Sequence, residues 1–122
     1  MDKPRLLLVD DEPLIQAHVA SMVRRLGYAV AVAETGQEAV QLARDIAFDV
    51  AIIDFRLPEM DGLETLAELQ RLRPGIAAIL FSGAVTAEME ERTRAAGAHT
   101  LEKPFVAAAL DALLREILAR GS

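Results

Sequence analysis

The 122 residues are enough for one domain of ordinary size with a buried core, and 52% hydrophobic with 26% charged residues fits a folded, water-soluble chain rather than a disordered one. A net charge of −6, with the basic residues scattered, argues against a nucleic-acid partner. The absence of cysteine excludes disulfide scaffolds, thiolate metal sites and cysteine nucleophiles.

Strand-type runs alternate with helical patterns along the whole chain. Arg5–Val9 reads as a first strand. The apolar stretch there is too short for a signal peptide, and no segment reaches the roughly 18 apolar residues of a membrane span, so a cytoplasmic protein without membrane contact is expected. Pro13 suits a first helical position, with Ile15, Val19, Met22, Val23 and Leu26 as the apolar stripe and Gly27 as the stop. Ala29–Ala33 is the second strand. Thr35-Gly36-Gln37-Glu38 predicts a capping box for a second helix, with Ala39, Val40, Leu42, Ala43 and Ile46 on its apolar face.

Val50–Ile53 forms a third strand, and Asp61 caps a third helix carrying Leu63, Leu66, Leu69 and Leu72 until Pro74-Gly75. Ile76–Phe81 is the fourth strand, followed by a helix capped by Thr86 and ended by Gly97. Ala98–Leu101 is the fifth, and Leu110, Leu113, Leu114 and Ile117 mark the last helix. Several strands are unbroken apolar runs, as strands covered on both faces should be. Five βα units over residues 1–122 predict a single α/β domain: a doubly wound parallel sheet between two helical layers, with right-handed crossovers.

In such a sheet the working crevice lies beyond the carboxyl ends of the strands. Strand one delivers Asp10-Asp11-Glu12 there, strand three Asp54, strand four Ser82-Gly83 and strand five Glu102-Lys103-Pro104. Clustered carboxylates repel one another unless a cation neutralises them, and hard oxygen ligands with room for water suit Mg2+. A lysine across the same pocket answers a further anion, and a phosphoryl group satisfies every partner. One carboxylate then serves as nucleophile, and Asp54, standing alone at the central strand's end, is the candidate.

Four motifs, Val9-Asp10-Asp11-Glu12-Pro13, Ile53-Asp54 through Asp61-Gly62, Phe81-Ser82-Gly83 and Glu102-Lys103-Pro104-Phe105, resemble in order the receiver domain of bacterial two-component response regulators, of the single-domain, chemotaxis-regulator-like kind. The resemblance implies a flavodoxin-like fold with strand order 2-1-3-4-5. It implies Asp54 as phosphoacceptor and Asp10 and Asp11 as the acidic pair at Mg2+, with Asp54 and the Arg56 backbone carbonyl as further ligands. Ser82 matches the phosphate-sensing hydroxyl, Lys103 the phosphate-binding lysine, and Gly83 leaves the phosphate access. A cis Lys103–Pro104 bond is implied as well. The implied partners are a histidine kinase or histidine phosphotransfer protein, and a downstream protein on the face of the fourth helix, fifth strand and fifth helix. One position departs from the pattern: the aromatic switch three residues before the lysine is Thr100, which has no ring to swing.

Plainer readings exist for each motif. Asp10, Asp11 and Glu12 before Pro13 can cap a helix, Asp54 and Ser82-Gly83 can be turn residues, and Lys103-Pro104 a surface turn. Their common register at the strand ends favours the site. His18 and His99 lack ligand-spaced partners and read as surface or edge residues, and Asp49 and Glu59 as solvated loop charges. Among rival functions, an aspartate-nucleophile phosphatase wants a second aspartate at position 56, which is arginine. A flavin-type phosphate loop after strand one is opposed by Asp10-Asp11-Glu12. A receiver that has lost its phosphorylation chemistry would lack one of the key residues, and all are present. The expected chemistry is therefore self-phosphorylation and self-dephosphorylation in a signalling switch, not an enzyme acting on an outside substrate. Five βα units use the whole chain, so no effector domain is expected within it; the chain is either a stand-alone regulator or the receiver of a longer protein.

Overall fold

The computed structural model describes residues 3–120; the terminal Gly121-Ser122 lie outside them. Ten elements alternate: β1 (Arg5–Val9), α1 (Pro13–Arg25), β2 (Ala29–Ala33), α2 (Gly36–Asp45), β3 (Val50–Asp54), α3 (Gly62–Leu72), β4 (Ala77–Ser82), α4 (Ala87–Ala95), β5 (His99–Glu102) and α5 (Ala107–Arg120). The strands form one parallel sheet in the order β2-β1-β3-β4-β5, the flavodoxin-like arrangement expected. No helix among the described residues is long and apolar enough to cross a membrane.

Each face of the sheet carries its own core. Leu6, Leu8, Val50, Ile52, Ile79 and Phe81 point to the side of α1 and α5, where Val19, Val23, Leu110 and Leu114 meet them. Leu7, Val9, Ala51, Ile53, Ala78 and Leu80 point to the opposite side, against Ala39 of α2 and Leu66 and Leu69 of α3. This period-2 division explains why the central strands read as unbroken apolar runs: both of their faces are buried.

Helix ends follow the sequence with one correction. Asp61 and Glu64 form a full capping box on α3, and Thr86 accepts the Met89 N–H on α4. At α2, Thr35 Oγ1 accepts the Glu38 N–H at 3.0 Å, but the Glu38 carboxylate reaches past Thr35 to the Glu34 N–H at 2.6 Å, so the expected reciprocal box is displaced by one residue. Gly27 and Gly97, at φ 103° and 79°, follow the ends of α1 and α4 in the left-handed conformation glycine adopts most readily.

Strands β3, β4 and β5 each end one residue beyond the expected runs, taking in Asp54, Ser82 and Glu102, and β4 and β5 begin one residue later than expected, at Ala77 and His99. The parallel ladder is built by backbone groups and does not stop where polarity begins; Asp54 pairs with Phe81 and Ser82 with Glu102. Asp49 is also more than a solvated loop charge. Its Oδ2 accepts the Arg5 N–H at 2.8 Å and its Oδ1 lies 3.6 Å from Arg73, joining the starts of β1 and β3 to the end of α3.

Candidate functional site

The strand ends bring the expected side chains to one edge because neighbouring strands are in register. β1 runs straight into Asp10, Asp54 is the last residue of β3 and Ser82 of β4, and β5 leads into Lys103. Asp10, Asp11 and Asp54 each offer a carboxylate oxygen, all within 4.8 Å of one another. Lys103 Nζ stands 3.3 Å from Asp54 Oδ2 and 3.6 Å from Asp10 Oδ2. Asp10 is wholly buried and Asp54 nearly so, whereas Asp11 is exposed at the rim.

Asp10 is fixed by the backbone around it. Its N–H donates to Ala33 O at 3.1 Å, its Oδ1 accepts the Glu12 N–H at 2.8 Å, and its carbonyl accepts the Gln16 side-chain amide. Glu12, the residue before α1, makes no side-chain cap. Glu12 is therefore not spent on capping; one oxygen of Asp10 accepts the Glu12 N–H at the helix entry and the other faces Lys103. That second oxygen is buried without a hydrogen-bond donor, since Lys103 lies at ion-pair rather than hydrogen-bond distance. Burial pushes the Asp10 carboxyl up to about 6; the Asp54 and Asp11 charges add to the rise, while the Glu12 N–H and Lys103 oppose it.

Asp54 Oδ1 accepts the Arg56 N–H at 3.0 Å, leaving Oδ2 to Lys103. The loop beyond is drawn tight by Gly62: a Cβ there would lie 2.5 Å from Asp54 O and 2.9 Å from the Phe55 Cα. Asp61-Gly62 therefore both starts α3 and lets that helix lie against the Asp54–Phe55 backbone. On the other side, the Lys103 N–H donates to Ser82 O at 2.8 Å, and the Lys103–Pro104 bond is cis as expected.

Two of the expected residues stand apart from the carboxylates. Ser82 is buried, but its hydroxyl bonds within its own loop, donating to Ala84 O at 3.2 Å. Thr100 is half-buried on β5 opposite Leu80, so it lies on the α4 side of the sheet. Gly83 is exposed, and a Cβ there would meet nothing within 4 Å, so its smallness serves no packing. His18 is exposed on α1, and His99 sits on the edge strand β5 with a buried, unpartnered Nδ1. Glu59, exposed in the loop after β3, is the loop charge it reads as, at φ 65°.

Gln16 and Phe81 belong to this site and were not legible as such. Gln16 carries no motif. Phe81 reads as one more apolar strand residue, yet its ring lies under the Lys103 ammonium, 4.5 Å from Nζ to the centroid.

Three carboxylates facing one ammonium leave an excess of negative charge, and Asp10 Oδ2 lacks a donor. A hard divalent cation that takes oxygen ligands fits that deficit, with Asp11 open to solvent at the rim.

The comparisons with known proteins agree with this geometry. The family model described as "Response regulator receiver domain" matches residues 6–115. A response regulator receiver protein of Anaeromyxobacter sp. strain Fw109-5 is 41% identical over 93 residues, which cover 76% of this chain and 39% of that protein. The chain thus spans about two fifths of the length of that relative. A CheY-like receiver domain protein from Methanospirillum hungatei JF-1 superposes with a TM-score of 0.91 at 30% identity, over 98% of this chain and 97% of its own. The receiver domain of the sensor histidine kinase PA1611 from Pseudomonas aeruginosa PAO1, crystallised with a magnesium ion coordinated in its active site cleft, superposes at 0.86 with 29% identity, over 98% and 99%. By sequence, fold and family model together, the chain belongs to the response regulator receiver domains of two-component systems, a family phosphorylated on aspartate.

Proposed function

We propose that the chain, as one receiver unit over residues 1–122, accepts a phosphoryl group on Asp54 from the phosphohistidine of a histidine kinase or histidine phosphotransfer protein. The observation that carries this reading is the Lys103 ammonium held 3.3 Å from Asp54 Oδ2 and 3.6 Å from Asp10 Oδ2 at the mouth of the central strand. An Asp54 oxygen attacks phosphorus, the phosphorus–nitrogen bond breaks, and the histidine imidazole leaves with the bond's electron pair. The Arg56 N–H keeps the Asp54 carboxylate oriented, and Lys103 neutralises a phosphoryl oxygen as charge accumulates. Water then cleaves the acyl phosphate, returning Asp54 and inorganic phosphate, so the chain resets itself without an outside substrate.

Asp10 and Asp11, with Asp54 and the Arg56 carbonyl, would hold Mg2+, as the PA1611 receiver holds magnesium in its cleft. Such an ion supplies charge neutralisation at the phosphoryl oxygens. Ser82 is the residue that senses the product. Its hydroxyl leaves Ala84 O for the new phosphoryl group and pulls the β4–α4 loop with it. Thr100 transmits that shift without a swinging ring, so the response runs through repacking of the loop and α4. The readout is a protein that docks on the face of α4, β5 and α5, in the cytoplasm, without direct nucleic-acid or membrane contact.

The test is intact mass after treatment with a small phosphodonor, with and without Mg2+, on the wild type and on Asp54→Asn. A single phosphoryl adduct on the wild type that needs Mg2+ and vanishes in the variant is expected. No adduct on the wild type, or an equal one on the variant, overturns the proposal.

A further inference from the structure

Phe81 closes the apolar part of β4, one residue before Ser82, and is fully buried. Its ring meets that of Phe105 edge to face, with centroids 6.0 Å apart and planes at 72°. The ring is thereby fixed from below by the core and from the side by Phe105. Above it stands Lys103 Nζ, 4.5 Å from the centroid and inside the roughly 6 Å over which an aromatic face attracts a cation. Only 19% of the lysine side chain is exposed, so the attraction acts with little screening by water.

The ammonium is thus held on three sides: by Asp54 Oδ2, by Asp10 Oδ2 and by the Phe81 face. These partners differ in permanence. Both carboxylates change role in the proposed reaction, since Asp54 becomes an acyl phosphate and Asp10 faces a metal. The ring does not change. A pocket of about 150 Å3, lined by Ile15, His18, Val19 and Phe105 together with Phe81 and Lys103, opens beside the same side chain, so space around the lysine does not by itself fix where its ammonium sits.

We propose that Phe81 is a positioning residue for the phosphotransfer: the negative face of its ring keeps the Lys103 ammonium at the acceptor edge while the carboxylate partners change. This rests on the reading of Asp54 as acceptor. A purely structural Phe81 fills core volume, and its electron density is irrelevant; a positioning Phe81 acts through its π face, and its electron density decides the outcome.

Incorporating 4-fluoro-, 3,5-difluoro- and 3,4,5-trifluorophenylalanine at position 81 separates the two, because shape is nearly kept while the face loses its negative charge. The initial rate of Asp54 adduct formation should fall stepwise, by roughly fivefold at the trifluoro ring. In the untreated protein, the Lys103 ε-methylene protons should lie upfield of those of Lys3, the chain's only other lysine, and move toward them along the series. Rates equal within twofold across the series, or Lys103 protons that match Lys3 in the native protein, overturn the proposal. A wild type that forms no adduct at all condemns the acceptor reading instead, and the Lys103 shift still judges Phe81 by itself.

Discussion

Helices α3 and α4 follow the two strands that present Asp54 and Ser82, and they are anchored very differently. α3 is tied down at every level. Its capping box is complete, Thr65 Oγ1 donates to Asp61 O at 2.8 Å, and Leu66 and Leu69 are buried in the core. Gly62 lets its first turn touch the Asp54–Phe55 backbone. α4 reads AEMEERTRA, and only Met89 and Thr93 of its nine residues are buried. Thr93 Oγ1 has no hydrogen-bond partner there. The start of α4 is capped too, by Thr86 and Met89, so the difference lies in burial; its other contacts are the Arg92 guanidinium 5.8 Å from the Phe55 ring centroid and the Gln70 amide donating to Ala96 O, just past its end, at 2.8 Å. Little apolar burial means a small free-energy cost of displacement. The Asp54 half of the edge is backed by a helix with buried leucines, and the Ser82 half by one with little apolar burial.

The sharpest way to break the comparison is Gly62→Ala. The added Cβ has to displace backbone, 2.5 Å from Asp54 O and 2.9 Å from the Phe55 Cα, and no side chain can yield instead. A loss of about 3–4 kcal/mol in chemical denaturation is expected. A loss under about 1 kcal/mol would mean that the β3–α3 loop is soft and that the two halves are alike.

Tight packing in the Asp54 half coexists with unfavourable charge. The Asp10 carboxyl is pushed from 3.8 to about 6, so the folded state binds its proton more tightly than the unfolded chain does. The contribution to stability is therefore most favourable below about 3.8 and is lost as pH rises toward 6. Above that, the ionised group costs the metal-free fold about 3 kcal/mol. Asp10→Asn should gain up to that amount at pH 7 in the presence of chelator, with the gain over wild type opening between pH 4 and 6 and then levelling. A variant no more stable than wild type at pH 7, or a gain that ignores pH, would show that Asp10 is at ease in its pocket.

Much of this was legible in the sequence because the signals are local or periodic. Unbroken apolar runs marked the central strands, Asp61 and Thr86 marked helix starts, and the acidic and basic residues directly behind those runs marked the edge of the site. What stayed hidden depends on distance along the chain. Asp49 holds the N–H of Arg5, 44 residues away, and nothing near Asp49 announces it. Glu38 stands at the right spacing for a capping box, yet its carboxylate selects the Glu34 N–H. Gly62 reads as helix-start chemistry, while its need to be glycine comes from the strand it lies against. Phe81 and Phe105 read as ordinary apolar residues until the fold sets the Phe81 ring against both the Phe105 ring and the Lys103 ammonium.

The smallest expected effect bears most directly on how α4 responds. Thr100 faces the α4 side of the sheet and contributes little volume beneath a helix that buries only two side chains. In the wild type, α4 amides should exchange with solvent through local opening well below the global unfolding free energy, and α3 amides near it. Thr100→Tyr adds a ring on that face, which should raise α4 protection in the unphosphorylated protein by about 0.5–1 kcal/mol. It should also change the affinity for the docking partner in at least one phosphorylation state. If α4 and α3 exchange alike in the wild type, the asymmetry between the halves is absent. If the tyrosine leaves both α4 exchange and partner binding untouched, position 100 lies outside the coupling route, and the Ser82 loop reaches α4 without passing through β5.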